Sequence, residues 1–140
     1  ASRTIFKMKY LIVLVLAILS AQAEDTYTTE NDDLDIDSVV KDRDTLKSFV
    51  NCFLDKGECN AVAGAFKKDI AEAVEQSCAK CTEAQKIIFK KFLDGLKSQQ
   101  PEEFEEFKKK FDPQGIHYGP LELDPDGLYY ESFQKAIANA

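Results

Sequence analysis

Four cysteines are the residues of this chain whose types and spacing could do covalent or metal chemistry. They are Cys52, Cys59, Cys78 and Cys81, with the spacing C-x6-C-x18-C-x2-C. Thiols in such an arrangement form disulfides in an oxidising compartment, bind zinc as four thiolates, or act as a redox pair. Four cysteines allow three disulfide pairings, and the spacing does not choose among them.

The N-terminal part of the sequence predicts an oxidising compartment. Met8 and Lys9 precede an unbroken apolar run at 11–19, which is followed by Ser20-Ala21-Gln22-Ala23. A charged start, a short apolar core and a small-x-small end are typical of a secretory signal peptide. As a helix the run rises about 14 Å against a bilayer core of roughly 30 Å, so we expect no stable membrane insertion.

This signal divides the chain into three parts. We expect residues 1–7 to be leader or cloning-derived residues, residues 8–23 the signal peptide, and residues 24–140 a secreted, extracellular mature domain. Loss of the first 23 residues removes three basic residues and no acid, and changes the net charge from −7 to −10. Nucleic acids and anionic membrane surfaces are bound by basic residues, so an acidic domain is expected to have no nucleic acid partner.

The other candidate catalytic and metal-binding residues form no constellation in the sequence. His117 is the single histidine, and no Ser or Cys nucleophile is marked as its partner. The Asp-Pro-Asp-Gly stretch at 124–127 is too short for a calcium loop, which needs about twelve residues. Cys78 and Cys81 lack the strand-helix-strand context of a thioredoxin-type redox pair, and a zinc site of four thiolates is disfavoured outside a reducing compartment. We therefore expect no enzyme activity, no catalytic residue, no metal and no cofactor.

Apolar residues recur at helical spacing along most of the mature chain. Residues 24–33 are polar, acidic and without period, and are expected to form a loosely ordered arm. A short helix is expected around residues 34–40. Amphipathic stripes at 43–55 and 62–77 predict two further helices, and no segment has a convincing strand pattern.

Capping and turn signals bound the helices of the second half. Thr82, with Gln85 three residues on, fits a capping box, and the helix after it has an apolar band wider than one face. Pro101 is placed to open the next helix, and the Asp-Pro-Gln-Gly turn at 112–115 to end it. A last helix is expected from about Asp126 to Ala138. The pattern predicts a single all-α domain.

Several sequence blocks together resemble the insect chemosensory protein family. They are the cysteine spacing, Tyr27-Thr28-Thr29, and the blocks at 50–59, 78–85 and 110–115, and they span the mature chain to about Tyr118. The resemblance implies one compact domain of about six helices around an apolar channel that takes long-chain lipids and odorant-like molecules.

The resemblance also implies a covalent structure and a ligand site. Neighbouring cysteines are joined in the family, which implies Cys52–Cys59 and Cys78–Cys81. The channel lining carries over onto six apolar positions and two polar neighbours: Phe49, Phe66, Ile70, Phe92, Phe104 and Leu121, with Glu72 and Gln85. Ten phenylalanines and no tryptophan suit either a solid core or a channel wall.

The resulting hypothesis is a secreted, soluble carrier of small hydrophobic molecules such as long-chain lipids and odorant- or pheromone-like compounds. Its expected partners are a small hydrophobic ligand and, as a further candidate, a membrane receptor, and the chain is expected to be a monomer. Two alternatives stay open. A secreted interaction or developmental factor with an incidental cavity would show an exposed apolar patch, whereas a small secreted lipase would need a nucleophile and a base in contact inside the channel.

Overall fold

The computed structural model describes residues 25–117 together with Lys135 and Ile137. Five helices follow one another: α1 (Ile36–Lys41), α2 (Arg43–Phe53), α3 (Ala61–Glu75), α4 (Glu83–Gln99) and α5 (Pro101–Phe111). Lys135 and Ile137 are also helical, and no strand occurs in this part of the chain. The predicted all-α fold is confirmed. The expected signal peptide, Leu121 and most of the helix expected over 126–138 lie outside the described residues.

Side-chain caps explain where four of the helices begin. Asp35, Asp42 and Asn60 precede the first three helices, and each accepts a hydrogen bond from the backbone N–H three residues on, at 3.1, 2.8 and 2.8 Å. Thr82 and Gln85 form the predicted capping box, with both reciprocal hydrogen bonds at 3.1 Å. Each bond satisfies an amide that a helix start leaves free.

The core lies around α4, which contacts α1, α2 and α5, while α3 contacts α2 and α5. This central position explains the wide apolar band of α4, because the helix is covered from several sides. The largest fully buried side chains are Phe107, Leu46, Leu93, Leu96 and Ile137. Ile137 therefore packs into the same core as the helices of residues 25–117.

The short helix α1 is held against α4 at Gly95. A Cβ atom on Gly95 would lie 2.5 Å from Val40 Cγ1, so the two backbones approach this closely because glycine has no side chain. Gln99 Nε2 donates to the carbonyl oxygen of Val40 at 2.8 Å, and Lys91 Nζ pairs with Asp37 at 2.7 Å. These contacts stabilise α1, which at six residues is too short to be a stable helix alone.

Two local disulfides are present, as the family resemblance implied. Cys52–Cys59 joins the end of α2 to the turn before α3, Cys78–Cys81 closes the turn between α3 and α4, and no cysteine is free. Closure of such short loops stabilises a fold by about 2 kcal/mol each on the loop-entropy estimate. The bridges therefore fix helix boundaries, while packing between helices stabilises the body.

Residues 25–33 form an ordered strap, and the expectation of a loosely ordered arm is wrong. The Tyr27 N–H donates to the carbonyl oxygen of Lys80 at 2.9 Å, and Gln85 Nε2 donates to the carbonyl oxygen of Thr28 at 2.8 Å. Both partners lie more than 50 residues further along the chain, so no local pattern reveals them. We call residues 25–33 the N-terminal strap.

Candidate functional site

A partly enclosed apolar cavity of about 70 Å³ lies between the N-terminal strap and helices α2, α3 and α4. Apolar side chains from these elements and from the start of α1 form most of its wall: Leu34, Ile36, Phe49, Phe53, Ala65, Phe66, Ile70, Ala73, Cys81, Ile88, Phe89 and Phe92. Such a wall suits a hydrocarbon chain, because transfer of apolar surface out of water is favourable.

Phenylalanines of α2 and α4 form one side of the cavity. Phe49 and Phe53 lie one turn apart on the inward stripe of α2, with ring centroids 6.1 Å apart, and Phe53 meets Phe92 edge-on at 5.3 Å. Phe92 in turn contacts Phe107 of α5 at 6.0 Å. Phe107 is fully buried and does not line the cavity, so Phe92 separates the cavity from the solid core beside α5.

The polar part of the wall lies where the N-terminal strap crosses α3 and α4. It consists of Tyr27, Thr28, Asn31, Asp69 and Gln85. Both ends of the Gln85 amide are engaged, because Nε2 donates to the strap carbonyl of Thr28 and Oε1 accepts the capping bond of α4. Gln85 thus holds the strap in place while it lines the cavity.

Glu72 lies behind this wall and holds Tyr27. Tyr27 Oη donates to Glu72 Oε2 at 3.1 Å, and Lys80 Nζ donates to Glu72 Oε1 at 2.7 Å. The hydrogen bond from Lys80, followed by that from Tyr27, lowers the pKa of Glu72. Burial and the bond to Glu72 raise the pKa of the Tyr27 phenol, so the hydroxyl stays protonated and donates.

Asp69 is a cavity residue that sequence reasoning missed. It is half-buried in the wall, and burial, with a smaller contribution from the charge of Glu72, raises its pKa. Within the described part of the chain it forms no ion pair. Its spacing was the available signal, because Asp69 follows Phe66 by three positions and precedes Ala73 by four, which places it on the inward face of α3.

Five of the eight residues predicted as channel lining border the cavity: Phe49, Phe66, Ile70, Gln85 and Phe92. Glu72 lies next to it through Tyr27. Phe104 does not border it; its side chain is buried on α5, with Lys108 Nζ 5.1 Å from the ring centroid. Leu121 lies outside the described residues. The role of the eight predicted residues in ligand binding stays a prediction.

The described residues contain no group of three or more His, Cys, Asp or Glu side chains placed to hold a metal ion. None of the helices described is both long and apolar enough to cross a membrane.

Comparison with known proteins assigns the family. Residues 27–118 match the insect pheromone-binding family, A10/OS-D. Ejaculatory bulb-specific protein 3 of Drosophila melanogaster is 32% identical over 111 residues, which cover 79% of this chain and 88% of that protein. Allergen Tha p 1 of Thaumetopoea pityocampa has the same identity and the same coverage.

Solved structures share the fold. A chemosensory protein in complex with bromo-dodecanol superposes with a TM-score of 0.65 at 24% identity, covering 79% of this chain and 98% of that one. The antennal chemosensory protein A6 from the moth Mamestra brassicae gives a TM-score of 0.58 at 24% identity, over 81% of this chain and 94% of that one. The family is one of ligand-binding proteins and not of enzymes. The match over residues 27–118, the shared helical fold and the two local disulfides show that this chain belongs to the insect pheromone-binding family A10/OS-D, the chemosensory proteins.

Proposed function

We propose that this protein is a secreted carrier that binds long-chain hydrophobic molecules in the cavity beneath the N-terminal strap. The observation that carries the proposal is the wall of this cavity, where apolar side chains from several helices converge on one partly enclosed space. Family membership supports a small hydrophobic ligand. The complex of a related fold with bromo-dodecanol supports a ligand with a long hydrocarbon chain.

The size of the cavity bears on how a ligand enters. At about 70 Å³ it is well below the range of about 300–1,000 Å³ that is typical of small-molecule sites. A long hydrocarbon chain therefore requires side chains of the wall to move apart. Phe66 and Phe89 are half-buried cavity residues and are the best placed to do so, since their movement opens no sealed core. We infer that the predicted channel forms as the ligand enters.

The expected affinity follows from the apolar surface of the ligand. Burial of about twelve methylene groups contributes roughly 10 kcal/mol at about 0.8 kcal/mol each. Association costs about 4 kcal/mol or more. The difference is about 6 kcal/mol at most, which corresponds to dissociation constants of tens of micromolar or weaker, since about 8 kcal/mol is 1 μM and about 4 kcal/mol is 1 mM.

Secretion, oligomeric state and further partners belong to the same proposal. Secretion is supported by the signal-peptide pattern at 8–23, and a monomer is the expected state. A membrane receptor is a candidate partner of the loaded carrier. The alternative of a secreted interaction or developmental factor has less support, because the exposed large hydrophobic side chains in the described part of the chain are Ile87 and Ile116, and single exposed residues are common on soluble proteins.

A cavity-filling substitution tests whether the cavity is the binding site. Ala73 is buried and lines the cavity, so leucine at this position occupies space that a ligand needs. We expect dodecanol to displace a fluorescent apolar probe, N-phenyl-1-naphthylamine, from the unchanged protein at micromolar concentration. Ala73→Leu should weaken dodecanol binding at least tenfold. Ala71→Leu adds the same side chain at an exposed position of α3 and should not. Unchanged binding by a folded Ala73→Leu variant would move the site elsewhere.

A further inference from the structure

The polar end of the cavity wall includes the carboxyl group of Asp69. We propose that Asp69 discriminates against carboxylate head groups, so that the cavity takes long-chain alcohols and other neutral long-chain molecules in preference to fatty acid anions. This inference rests on the proposed carrier function, because it concerns the polar end of the same cavity.

The wall as described contains one charged side chain, and that side chain is acidic. The other polar lining residues are neutral, and no lysine, arginine or histidine borders the cavity in the described part of the chain. Lys80 is the basic residue attached to the polar end, but its ammonium group is paired with Glu72 at 2.7 Å. Beyond residue 117 the sequence has a single basic residue, Lys135, and its side chain is exposed. Lys68, beside Asp69 on α3, acts on it electrostatically, but Lys68 is exposed and does not line the cavity. Among the described residues, a carboxylate in the cavity therefore finds no cation in the wall to balance it.

A carboxylate ligand would also meet the negative charge of Asp69 directly. Like charges within a few ångströms repel each other, and more strongly in a partly desolvated cavity than in water. Glu72 lies close enough to act on Asp69 electrostatically, so the acidic character is shared by both positions. The anion would give up its hydration and gain no ionic partner.

An alcohol head group fits the same end well. Its hydroxyl hydrogen can be donated to the Asp69 carboxylate, which gives a charge-assisted hydrogen bond. Its oxygen carries no net charge, so it requires no cationic partner in the wall. The Tyr27 hydroxyl gives its own hydrogen to Glu72, so its oxygen is available as an acceptor and not as a donor to an anion. One N–H of the Gln85 amide is likewise engaged, by the carbonyl oxygen of Thr28, so the donors that remain in the wall are uncharged: the second N–H of Gln85 and the side chains of Thr28 and Asn31.

The test compares three ligands of matched chain: dodecanol, dodecanoate and methyl dodecanoate. Displacement of N-phenyl-1-naphthylamine from the unchanged protein is measured for each ligand at about pH 8, below the micelle concentration of dodecanoate and below the solubility limits of the two neutral ligands. We expect dodecanol to bind at least tenfold more tightly than dodecanoate. Methyl dodecanoate, which has the same acyl chain with neither the charge nor a hydroxyl donor, should bind more weakly than dodecanol but at least about threefold more tightly than dodecanoate.

Variants at Asp69 assign the effect to one side chain. Asp69→Asn keeps the shape and should reduce the ratio of the alcohol and carboxylate affinities to less than about threefold, mainly through tighter binding of dodecanoate. Asp69→Lys should favour dodecanoate. Glu75→Gln removes the same charge from an exposed position of α3 away from the cavity wall, and should leave the ratio unchanged.

The outcomes separate this inference from the carrier function. Three results would overturn the inference and leave the carrier function intact. The first is equal affinity for dodecanol and dodecanoate, and the second is an affinity ratio that Asp69→Asn leaves unchanged. The third is methyl dodecanoate that binds as weakly as the anion. Failure of all three ligands to displace the probe from the unchanged protein would overturn the carrier function itself.

Discussion

The Tyr27 hydroxyl donates a 3.1 Å hydrogen bond to Glu72 Oε2 and so ties the N-terminal strap to α3 across 45 positions of sequence. The same carboxylate accepts a hydrogen bond from Lys80, whose backbone carbonyl oxygen accepts the N–H of Tyr27 at 2.9 Å. These three residues form a closed ring of contacts. Because Tyr27 also lines the cavity, the attachment of the strap and the polar end of the site are one structure.

Tyr27→Phe should loosen the strap without emptying the cavity wall. The substitution keeps the ring and removes the donor to Glu72, at a cost of about 1.5–3 kcal/mol for a hydrogen bond to a charged group. Hydrogen exchange followed by mass spectrometry should show faster exchange in residues 25–33 and unchanged exchange in α2 and α4. Gln76→Ala removes a different side-chain donor of Glu72, a 3.3 Å bond on α3 itself, and serves as the control. If hydrogen exchange in residues 25–33 were equally fast in Tyr27→Phe and in the unchanged protein, the hydrogen bond to Glu72 would not be what holds the strap.

Asp55 should link stability to acid pH. Its carboxylate accepts hydrogen bonds from Lys110 and, at 2.5 Å, from Lys67, and these bonds lower its pKa from 3.8 to about 2. A lowered pKa in the folded state stabilises the fold above the unfolded value of about 3.8, and this stabilisation is lost as the pH falls through about 2. The link between α3 and α5 is therefore complete at neutral pH and absent in strong acid.

The variant Asp55→Asn isolates that charge. Asp55 has a φ of 60°, a left-handed conformation that asparagine tolerates, so the backbone is not strained by the change. We expect the variant to melt at a lower temperature than the unchanged protein near pH 6, and the two melting temperatures to converge near pH 2. High salt should narrow the gap near pH 6, since the pair is exposed. A gap that persists near pH 2 would show that the ion pairs are not its cause.

Gly95→Ala should destabilise the protein although alanine favours a helix. The added Cβ would meet Val40 Cγ1 at 2.5 Å, and overpacking of this kind costs about 1–3 kcal/mol, against a gain of about 1 kcal/mol in helix propensity. Urea unfolding measures the difference. Val40→Ala removes the opposing methyl groups. In the Val40→Ala background, Gly95→Ala should therefore cost much less stability than it does in the unchanged protein. Equal costs in the two backgrounds would show that contact with Val40 is not the cause.

Local signals were sufficient to predict the helices. The capping box of Thr82 and Gln85 and the proline at the start of α5 act within one turn of backbone, and the structure has both. Contacts between distant segments were not predictable in the same way. The strap was missed because the partners of Tyr27 and Thr28 lie on α3, α4 and the turn between them. The approach of Val40 to Gly95 depends on the crossing of two helices.

The site could be predicted only in part for the same reason, because it too depends on contacts between distant segments. The spacing of Phe104 and Phe107 by three positions indicates one buried face of α5, and both side chains are buried, but the spacing does not tell which part of the interior they face. The contact of Phe107 with Phe92 shows that α5 packs on the side of Phe92 away from the cavity. Asp69 was missed because a charged residue beside two lysines gives no local signal of a buried position, although its spacing puts it on the inward face of α3.

A pair of phenylalanine variants should separate core from cavity. Phe104 is buried and does not line the cavity, so Phe104→Ala should cost about 3–5 kcal/mol of stability and leave the preferred ligand length unchanged. Phe49 borders the cavity on one side, so Phe49→Ala should cost less and lengthen the preferred ligand. Urea unfolding and competition across a series of straight-chain alcohols measure the two effects. A longer preferred ligand in Phe104→Ala, with little loss of stability, would return Phe104 to the site.

Native mass spectrometry of the secreted protein tests the carrier function most directly. The cavity predicts that protein purified from the medium of producing cells carries one long-chain molecule for each folded chain, which is released on unfolding and identified by its mass. The Ala73→Leu variant, purified in parallel, should carry much less. Protein that emerges without any such molecule, and that also takes up no dodecanol when the alcohol is added, would contradict the account.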